Sequence, residues 1–216
     1  MSPDERKPGR RKDPDLETRR TAEILDAAAI AFAEHGFAAT QVQTIADRLK
    51  VGNGTIYRYF ETKEALFLAT VERGLKELNS AMDSVLEQDI DSLVQLDLAV
   101  REYLRFFHRR PHMAELFIQE RAAFPHHHRP LYFDTKDQHE LAKHDAFFAR
   151  LMSTGWFRPI PQARFMSVIG DLLYGTILTN LLAGRPVDPE TQATDILDVI
   201  LLGLLTPAET TTRDTR

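Results

Sequence analysis

Apolar residues recur three or four positions apart along most of this 216-residue chain, and this spacing restricts the fold more than any other sequence feature. It places apolar side chains on one face of an α-helix, whereas a half-buried strand would alternate apolar and polar residues. Glycine, proline or small polar residues separate the helical segments, as is typical of helix ends. The sequence therefore predicts an all-α protein of about nine helices.

The first helical segment spans residues 17–35 and ends at Gly36, where we expect a left-handed helix cap. Phe37 is then expected to fold back onto the last turn of that helix. Thr40 and Gln43, three positions apart, predict a capping box that begins a second helix. These signals place two consecutive helices near the start of the chain.

The stretch from Gly52 to Lys63 predicts a third, short helix with one apolar and one polar face. Ile56 and Phe60 are one turn apart and predict the buried face. A helix this short is not stable alone in water, so neighbouring helices must support it. Two short helices joined by a tight turn, with a supporting helix before them, are typical of a helix-turn-helix unit.

The residues around this third helix match a known pattern. The run from Gly54 to Phe60 is followed by Lys63, Glu64, Ala65 and Leu66, and is preceded by Ala31-Phe32, Gly36-Phe37, Thr40, Ile45-Ala46 and Val51. Through these residues, segment 17–67 resembles the DNA-binding domain of the TetR (tetracycline-repressor-like) family of bacterial transcriptional regulators. The resemblance implies DNA-facing positions for Gln43, Asn53, Gly54, Thr55, Tyr57 and Tyr59. It also implies that Lys63 is a phosphate clamp at the start of the fourth helix.

The chemistry of these side chains suits DNA. The hydroxyl groups of Thr55 and the two tyrosines suit phosphate oxygens. The amide groups of Gln43 and Asn53 are able to pair with adenine, and Arg58 would contact either a guanine edge or a phosphate. In the alternative interpretation the tyrosines pack at the seam of the domain, as buried tyrosines commonly do.

Two residues depart from the family pattern. Lys50 stands in the turn where the family often has glycine, and a left-handed conformation there would cost about 1 kcal/mol or more. Gly52 stands where the family usually has a serine-like helix cap, which is a small loss. Neither departure prevents the fold, but both affect the angle of the third helix.

Charge and composition divide the chain into four regions. Residues 1–16 hold five basic residues among prolines and predict a disordered basic arm, which either follows DNA phosphates or is a solvated tail. Residues 17–63 are the predicted DNA-binding domain, residues 64–206 a helical ligand-binding and dimerisation domain, and residues 207–216 a flexible tail. Residues 1–63 carry 11 basic and 10 acidic residues, a charge of +1, and the rest carry 16 and 22, a charge of −6, so the acidity of the chain lies in the later region.

The composition also restricts the compartment. The chain has no cysteine, which excludes disulfides and thiolate metal sites. The N-terminus lacks the apolar stretch of a secretory signal, and no apolar run approaches the roughly 20 residues of a membrane span. We therefore expect a cytoplasmic protein with no membrane partner.

The second domain carries many aromatic residues, and aromatic-lined cavities are typical of ligand sites, although an ordinary core is the alternative for each residue. We expect a small, mainly apolar or aromatic effector. The predicted pocket residues are Phe106, Phe107, Phe117, Phe124, Phe147, Phe148, Trp156 and Tyr174.

The last two predicted helices, about 162–183 and 190–205, carry wide apolar stripes. By the family resemblance, two such helices pair with their symmetry mates to form the four-helix interface of a homodimer. The predicted interface residues are Phe165, Ile169, Leu173, Ile177, Ile196, Ile200 and Leu204.

Histidines suggest a metal site, but weakly. His126, His127 and His128 are adjacent, and adjacent side chains diverge; Glu140 and His144 share one helix face and would supply only two ligands. We predict no metal and no other cofactor. The chain lacks the GxSxG, HExxH and phosphate-loop motifs, so a histidine-metal enzyme is a distant alternative.

The sequence thus predicts a ligand-responsive repressor that binds double-stranded DNA, not an enzyme. As a homodimer it would place two recognition helices in successive major grooves of a pseudo-palindromic operator, roughly 34–36 Å apart. A ligand-independent regulator or an activator of the same fold is the nearest alternative.

Overall fold

The computed structural model describes residues 14–124, 138–186 and 188–202, and within these ranges the chain contains nine helices and no strand. This confirms the predicted all-α fold. The helices are α1 (Pro14–Ala39), α2 (Val42–Arg48), α3 (Asn53–Tyr57), α4 (Lys63–Leu86), α5 (Ser92–Arg109), α6 (His112–Ala123), α7 (Gln138–Ser153), α8 (Gln162–Ala183) and α9 (Pro189–Leu201).

The chain forms two compact units, Met1–Arg73 and Gly74–Arg216. The first therefore extends beyond the predicted boundary at residue 63 and includes the first turns of α4. Arg73 accounts for this extension, because its guanidinium donates to the carbonyl of Ala22 at 2.6 Å and to Asp26 at 2.8 Å. Of the predicted basic arm, residues 14–16 belong instead to α1, and residues 1–13 lie outside the described ranges.

An aromatic cluster forms the centre of the first unit. The rings of Phe32 and Phe37 have centroids 6.1 Å apart, and both meet Phe67 at 5.0 and 5.1 Å. Gly36 adopts φ 80° and kinks α1, and this kink brings Phe37 to the cluster. The sequence predicts such a left-handed conformation at Gly36. Ile45 and Ile56 are fully buried and attach α2 and α3 to this core.

The predicted capping box at the start of α2 is wrong. The hydroxyl of Thr40 donates to the carbonyls of Gly36 and Ala31, at 2.7 and 3.2 Å, and so closes the end of α1 instead. Gln41 occupies the cap position of α2 without a side-chain hydrogen bond. Gln43 donates its amide hydrogen to Asp47 at 2.6 Å, one turn along the same helix.

Lys50 adopts a left-handed backbone with φ 55°, as the turn before α3 requires. Lys50→Gly should therefore stabilise the first unit by about 0.5–1 kcal/mol, because glycine is not strained in this conformation. Urea denaturation of the full chain measures the change. Lys50→Ala is the matched control: it removes the same side chain but keeps the strained backbone, and equal stabilisation by both variants would refute the explanation.

Capping side chains begin several helices of the second unit as predicted. The Asp91 carboxylate accepts from the backbone of Leu93 at 2.9 Å and Val94 at 3.2 Å, which begins α5. Asp188 accepts from the backbone of Thr191 at 2.9 Å and begins α9. Gly184, with φ 57°, ends α8 at the predicted residue. The predicted end of the last helix, near residue 205, lies outside the described ranges.

One buried amide joins three elements of the second unit. Gln95 is fully buried, and its side-chain nitrogen donates to the carbonyls of Val85, Leu86 and Gln88, at 3.0, 2.9 and 3.0 Å. Its oxygen accepts from Arg150 of α7 at 3.0 Å. The last carbonyl groups of an α-helix have no donors within that helix. Gln95, which lies on α5, donates hydrogen bonds to the carbonyl groups at the end of α4.

An ion-pair network attaches α9 to α5. Arg101 contacts Asp97 at 2.7 Å and Glu190 at 3.1 Å, and Arg105 also pairs with Glu190. The hydrogen bonds from Arg105 and then Arg101 hold the pKa of Glu190 below its ordinary value. A carboxyl group whose pKa is lower in the folded state stabilises the fold at pH values above its unfolded-state pKa. The attachment of α9 to α5 therefore weakens as the pH falls through the folded-state pKa of Glu190.

Candidate nucleic-acid interface and internal cavity

Helices α2 and α3 form a helix-turn-helix with a polar outer face. Ile45, Ala46 and Ile56 are buried, while α3 has only five residues and is followed by a turn. The predicted DNA-facing residues lie on the outside: Gln43, Gly54, Tyr57 and Arg58 are exposed, and Asn53, Thr55 and Tyr59 are half-buried. The short helix and the turn after it thus keep the Tyr57 hydroxyl and the Arg58 guanidinium near solvent.

The two tyrosines differ in their surroundings. Tyr57 is 46% exposed, so it is not packed away at a seam. Tyr59 lies beneath Arg58, whose guanidinium carbon is 5.1 Å from the ring centroid and whose nitrogen is 3.5 Å from the phenol oxygen. This stacking holds a positive charge on the outer face, where a phosphate or a guanine edge would meet it.

The two amide side chains are not set for pairing with adenine. Gln43 has one amide hydrogen committed to Asp47. The Asn53 oxygen is buried and has no hydrogen-bond partner among the described residues. Bidentate pairing needs both the oxygen and the nitrogen of an amide, so either side chain must reorient to make it. A buried unpaired oxygen costs about 1–3 kcal/mol, which favours such a reorientation of Asn53 on DNA.

Lys63 has partners other than the predicted phosphate. Its ammonium donates to the carbonyls of Phe37, Ala38 and Thr40 at 2.8, 3.1 and 3.1 Å, and lies 4.7 Å from the centroid of the Phe37 ring. An ammonium has three hydrogens, so all its donors are in use. In this structure Lys63 satisfies the carbonyl groups that follow the kink of α1. A phosphate contact would have to replace one of these bonds.

A cavity of about 420 Å³ lies within the second unit. Its walls come from α4, α5, α7 and α8, and most of its lining is aliphatic or aromatic, including Leu78, Met82 and Val100. Close-packed interiors contain few voids larger than a water molecule, so this volume suits a small molecule. The spacing of apolar residues along a helix does not distinguish a cavity wall from a filled core.

Most of the predicted pocket residues lie elsewhere. Phe147 lines the cavity, whereas the other seven do not. Phe106, Phe107 and Phe117 pack in the core, Phe148 packs on Phe165 at 5.5 Å, and Trp156 is 78% exposed. Phe124 ends α6, and Tyr174 lines a much smaller void beside Phe117. Aromatic richness therefore marks the core of this unit more than its cavity.

The predicted dimer face is turned inward. Phe165, Leu173, Ile177 and Ile196 are buried within the chain, Ile169 and Ile200 are half-buried, and Leu204 lies outside the described ranges. The exposed large apolar residues of α8 and α9 lie at other positions. We call them the outer strip, and they are Val168, Leu172, Leu182, Val199, Leu201 and Leu202.

Apolar residues lie on most sides of α8, so the sequence does not show which side packs against its own chain. By length and composition alone, Gln162–Ala183 could cross a membrane, with a mean hydropathy of 1.4 and 17% of its most apolar window buried. The sequence predicts no such segment. The core helix of a soluble protein passes the same test, so the observation establishes only that much of α8 lies uncovered by this chain.

The histidine tract cannot be placed. His126, His127 and His128 lie outside the described ranges. Among the residues that the structure does describe, no group of three or more potential ligands is positioned to hold a metal ion.

A helix-turn-helix with a polar outer face, followed by a helical unit with a cavity, defines a DNA-binding regulator fold. Comparison with known proteins agrees. Residues 24–70 match the sequence profile of bacterial regulatory proteins, tetR family. Residues 24–70 therefore carry the DNA-binding domain of the TetR family of transcriptional regulators, which confirms the predicted resemblance.

Two relatives show how far the similarity extends. An uncharacterised helix-turn-helix regulator, YhgD of Bacillus subtilis, is 34% identical over 100 residues, which cover 46% of this chain and 51% of that protein. The match thus spans about half the length of that relative. The transcriptional repressor KstR of Mycobacterium tuberculosis is 26% identical over 196 residues, covering 88% of this chain and 83% of KstR.

Solved structures share this fold. The transcriptional regulator FadR of Bacillus subtilis, in complex with stearoyl-CoA, superposes with a TM-score of 0.65 at 17% identity, covering 85% of this chain and 99% of that one. At this identity the likeness concerns the fold alone. It supports a family architecture that continues through the second unit.

Proposed function

We propose that this chain is a cytoplasmic repressor that binds a DNA operator as a homodimer and releases it when a small, mainly apolar molecule occupies the cavity. The observation that carries the proposal is the outer face of α2 and α3, where Thr55, Tyr57 and Arg58 lie near solvent over a buried apolar side. The match to the family profile and the name of the relative KstR, a transcriptional repressor, support it.

Tyr57→Ala should weaken specific DNA binding about tenfold or more, because it removes an exposed ring and hydroxyl from the centre of the proposed contact face. The operator would first be selected from random duplexes with the wild-type chain, and affinity then measured by fluorescence anisotropy. Since Tyr57 is largely exposed, the circular dichroism spectrum should not change. Tyr57→Phe separates the hydroxyl from the ring, and wild-type affinity in Tyr57→Ala would contradict the assigned face.

We assign the homodimer to the outer strip of α8 and α9 rather than to the residues first predicted. Val168 is 57% exposed and lies on the strip, so Val168→Glu should convert the dimer to a monomer in sedimentation experiments at micromolar concentration. Val94→Glu is the matched control, because Val94 is 51% exposed on α5 and off the strip. Dissociation by both variants, or a monomeric wild type, would contradict the assignment.

Release of DNA is assigned to helix α4. This helix contributes Leu75, Leu78 and Met82 to the cavity wall, and it begins at Lys63 in the first unit. A ligand that fits only one position of α4 shifts the population toward that position by its differential affinity. Measuring operator affinity with and without a cavity ligand tests this assignment, and equal affinities would refute it.

A further inference from the structure

The cavity between α4, α5, α7 and α8 has polar groups of one dominant charge. Its charged lining residues are the carboxylates Asp83 and Asp171, accompanied by the imidazole of His144. Neither lysine nor arginine is among the described residues that line it. Outside these groups the polar lining consists of an amide, a hydroxyl and a phenol: Asn79, Ser167 and Tyr103.

Asp83 already has a cationic partner, which it shares with a second carboxylate. Lys143 of α7 lies 2.6 Å from Asp83 and 2.6 Å from Glu87, and it is not part of the cavity lining. Hydrogen bonds to these two carboxylates, Asp83 first, raise the pKa of Lys143 and keep it charged. This lysine is therefore shared between two carboxylates and is held away from any ligand, and the three groups together keep one negative charge.

Asp171 is not balanced in this way. Its only contact with another side chain in the described part of the chain is with the Ser167 hydroxyl, at 3.4 Å, and no ion pair reaches it. It stands on α8 beside Gly170, and it lines the cavity while remaining exposed to solvent. The cavity thus combines an apolar body with a carboxylate, Asp171, that has no cationic partner among the residues the structure describes.

We propose that the cavity selects a cationic amphiphile, such as an aliphatic or aromatic amine, with its ammonium at Asp171 and its apolar part between α4 and α5. A carboxylate or phosphate ester with the same apolar part would place like charges together without a cation to pair them. This inference rests on the proposed function of the cavity as the effector site. It distinguishes this chain from the neighbour of the same fold that holds stearoyl-CoA, an anionic ligand.

Three ligands with the same eight-carbon tail test the proposal: octylamine, 1-octanol and octanoate, each below its aggregation limit. Binding to the full-length chain would be measured by calorimetry at pH 8, where histidine side chains are predominantly uncharged. Octylamine should bind about tenfold more tightly than octanoate, with octanol between them. Asp171→Asn should remove the preference for the amine and leave the affinity for octanol unchanged.

Asp198→Asn is the matched control, because Asp198 is an exposed carboxylate on α9 that does not line the cavity. It should keep the preference for octylamine, and loss of that preference in this variant would show a general surface effect and overturn the proposal. Octanoate binding as tightly as octylamine would overturn the charge selectivity while leaving an apolar effector site intact. Failure of all three ligands to bind would instead contradict the proposed function of the cavity.

Discussion

Lys63→Met is expected to lower the free energy of unfolding of the helix-turn-helix unit by about 2–4 kcal/mol. The variant removes three charge-assisted hydrogen bonds to the carbonyls of Phe37, Ala38 and Thr40, each worth about 1.5–3 kcal/mol when fully shielded from water. The expected loss in free energy is smaller than the sum of three such bonds. Lys63 is half-buried, so water can bind some of the carbonyl groups in its place. Hydrogen exchange of amides in α2 and α3 measures the change locally.

Salt dependence separates this capping role from a phosphate contact. If Lys63 mainly supports the carbonyl groups, Lys63→Met reduces stability, while the salt slope of DNA binding by the folded fraction stays unchanged. If it mainly binds phosphate, stability is preserved and the slope falls by about one. Lys50→Met is the control, since it removes another exposed lysine of the same unit and retains the left-handed backbone. Unchanged stability in Lys63→Met would refute the capping role.

Gln95→Leu should destabilise the second unit by about 3–5 kcal/mol. Leucine has a similar volume but removes the buried donor of the carbonyls of Val85, Leu86 and Gln88, and a buried group left unsatisfied costs about 1–3 kcal/mol. The first two carbonyls keep only longer contacts, at 3.2 Å with the Gln88 amide and 3.4 Å with Arg150. The substitution also removes the acceptor of Arg150. Urea denaturation followed by circular dichroism would measure the loss through the midpoint and the slope.

Gln88→Leu provides the comparison for this experiment. The Gln88 side chain donates to the carbonyl of Ser84 at 3.0 Å near the same helix end, but it is exposed. Its loss should change stability by less than about 0.5 kcal/mol, because water replaces the donor. A loss below about 1 kcal/mol in Gln95→Leu would mean that water also reaches the end of α4, which would contradict the sealed arrangement.

Local signals in the sequence predict the helices well. The bounds of α8 follow from its preceding proline and from Gly184, whose left-handed conformation ends the helix. Asp91 and Asp188 begin their helices because a capping carboxylate acts on backbone groups two or three residues away. The polar face of α3 is likewise fixed by Ile56, which must be buried.

Partners distant in the sequence account for what the patterns miss. Thr40 and Lys63 both bond carbonyl groups at the end of α1, and Gln95 bonds those at the end of α4, so their roles depend on how the helices pack. A helix that is apolar on every side gives no periodic signal for which side meets its own chain. For that reason Phe165 and Leu173, which the sequence predicts at a dimer interface, are instead buried within their own chain.

The uncovered face of α8 affects how stability should be expressed for this protein. Under the proposed pairing, the apolar groups of the outer strip leave water only when two chains meet, so folding and association share part of one hydrophobic free energy. The free energy of unfolding then depends on the concentration of the chain, and a protomer alone is the least stable form. Dilution would therefore destabilise this regulator, as a denaturant does. The concentration of the chain would help to determine the fraction that stays folded.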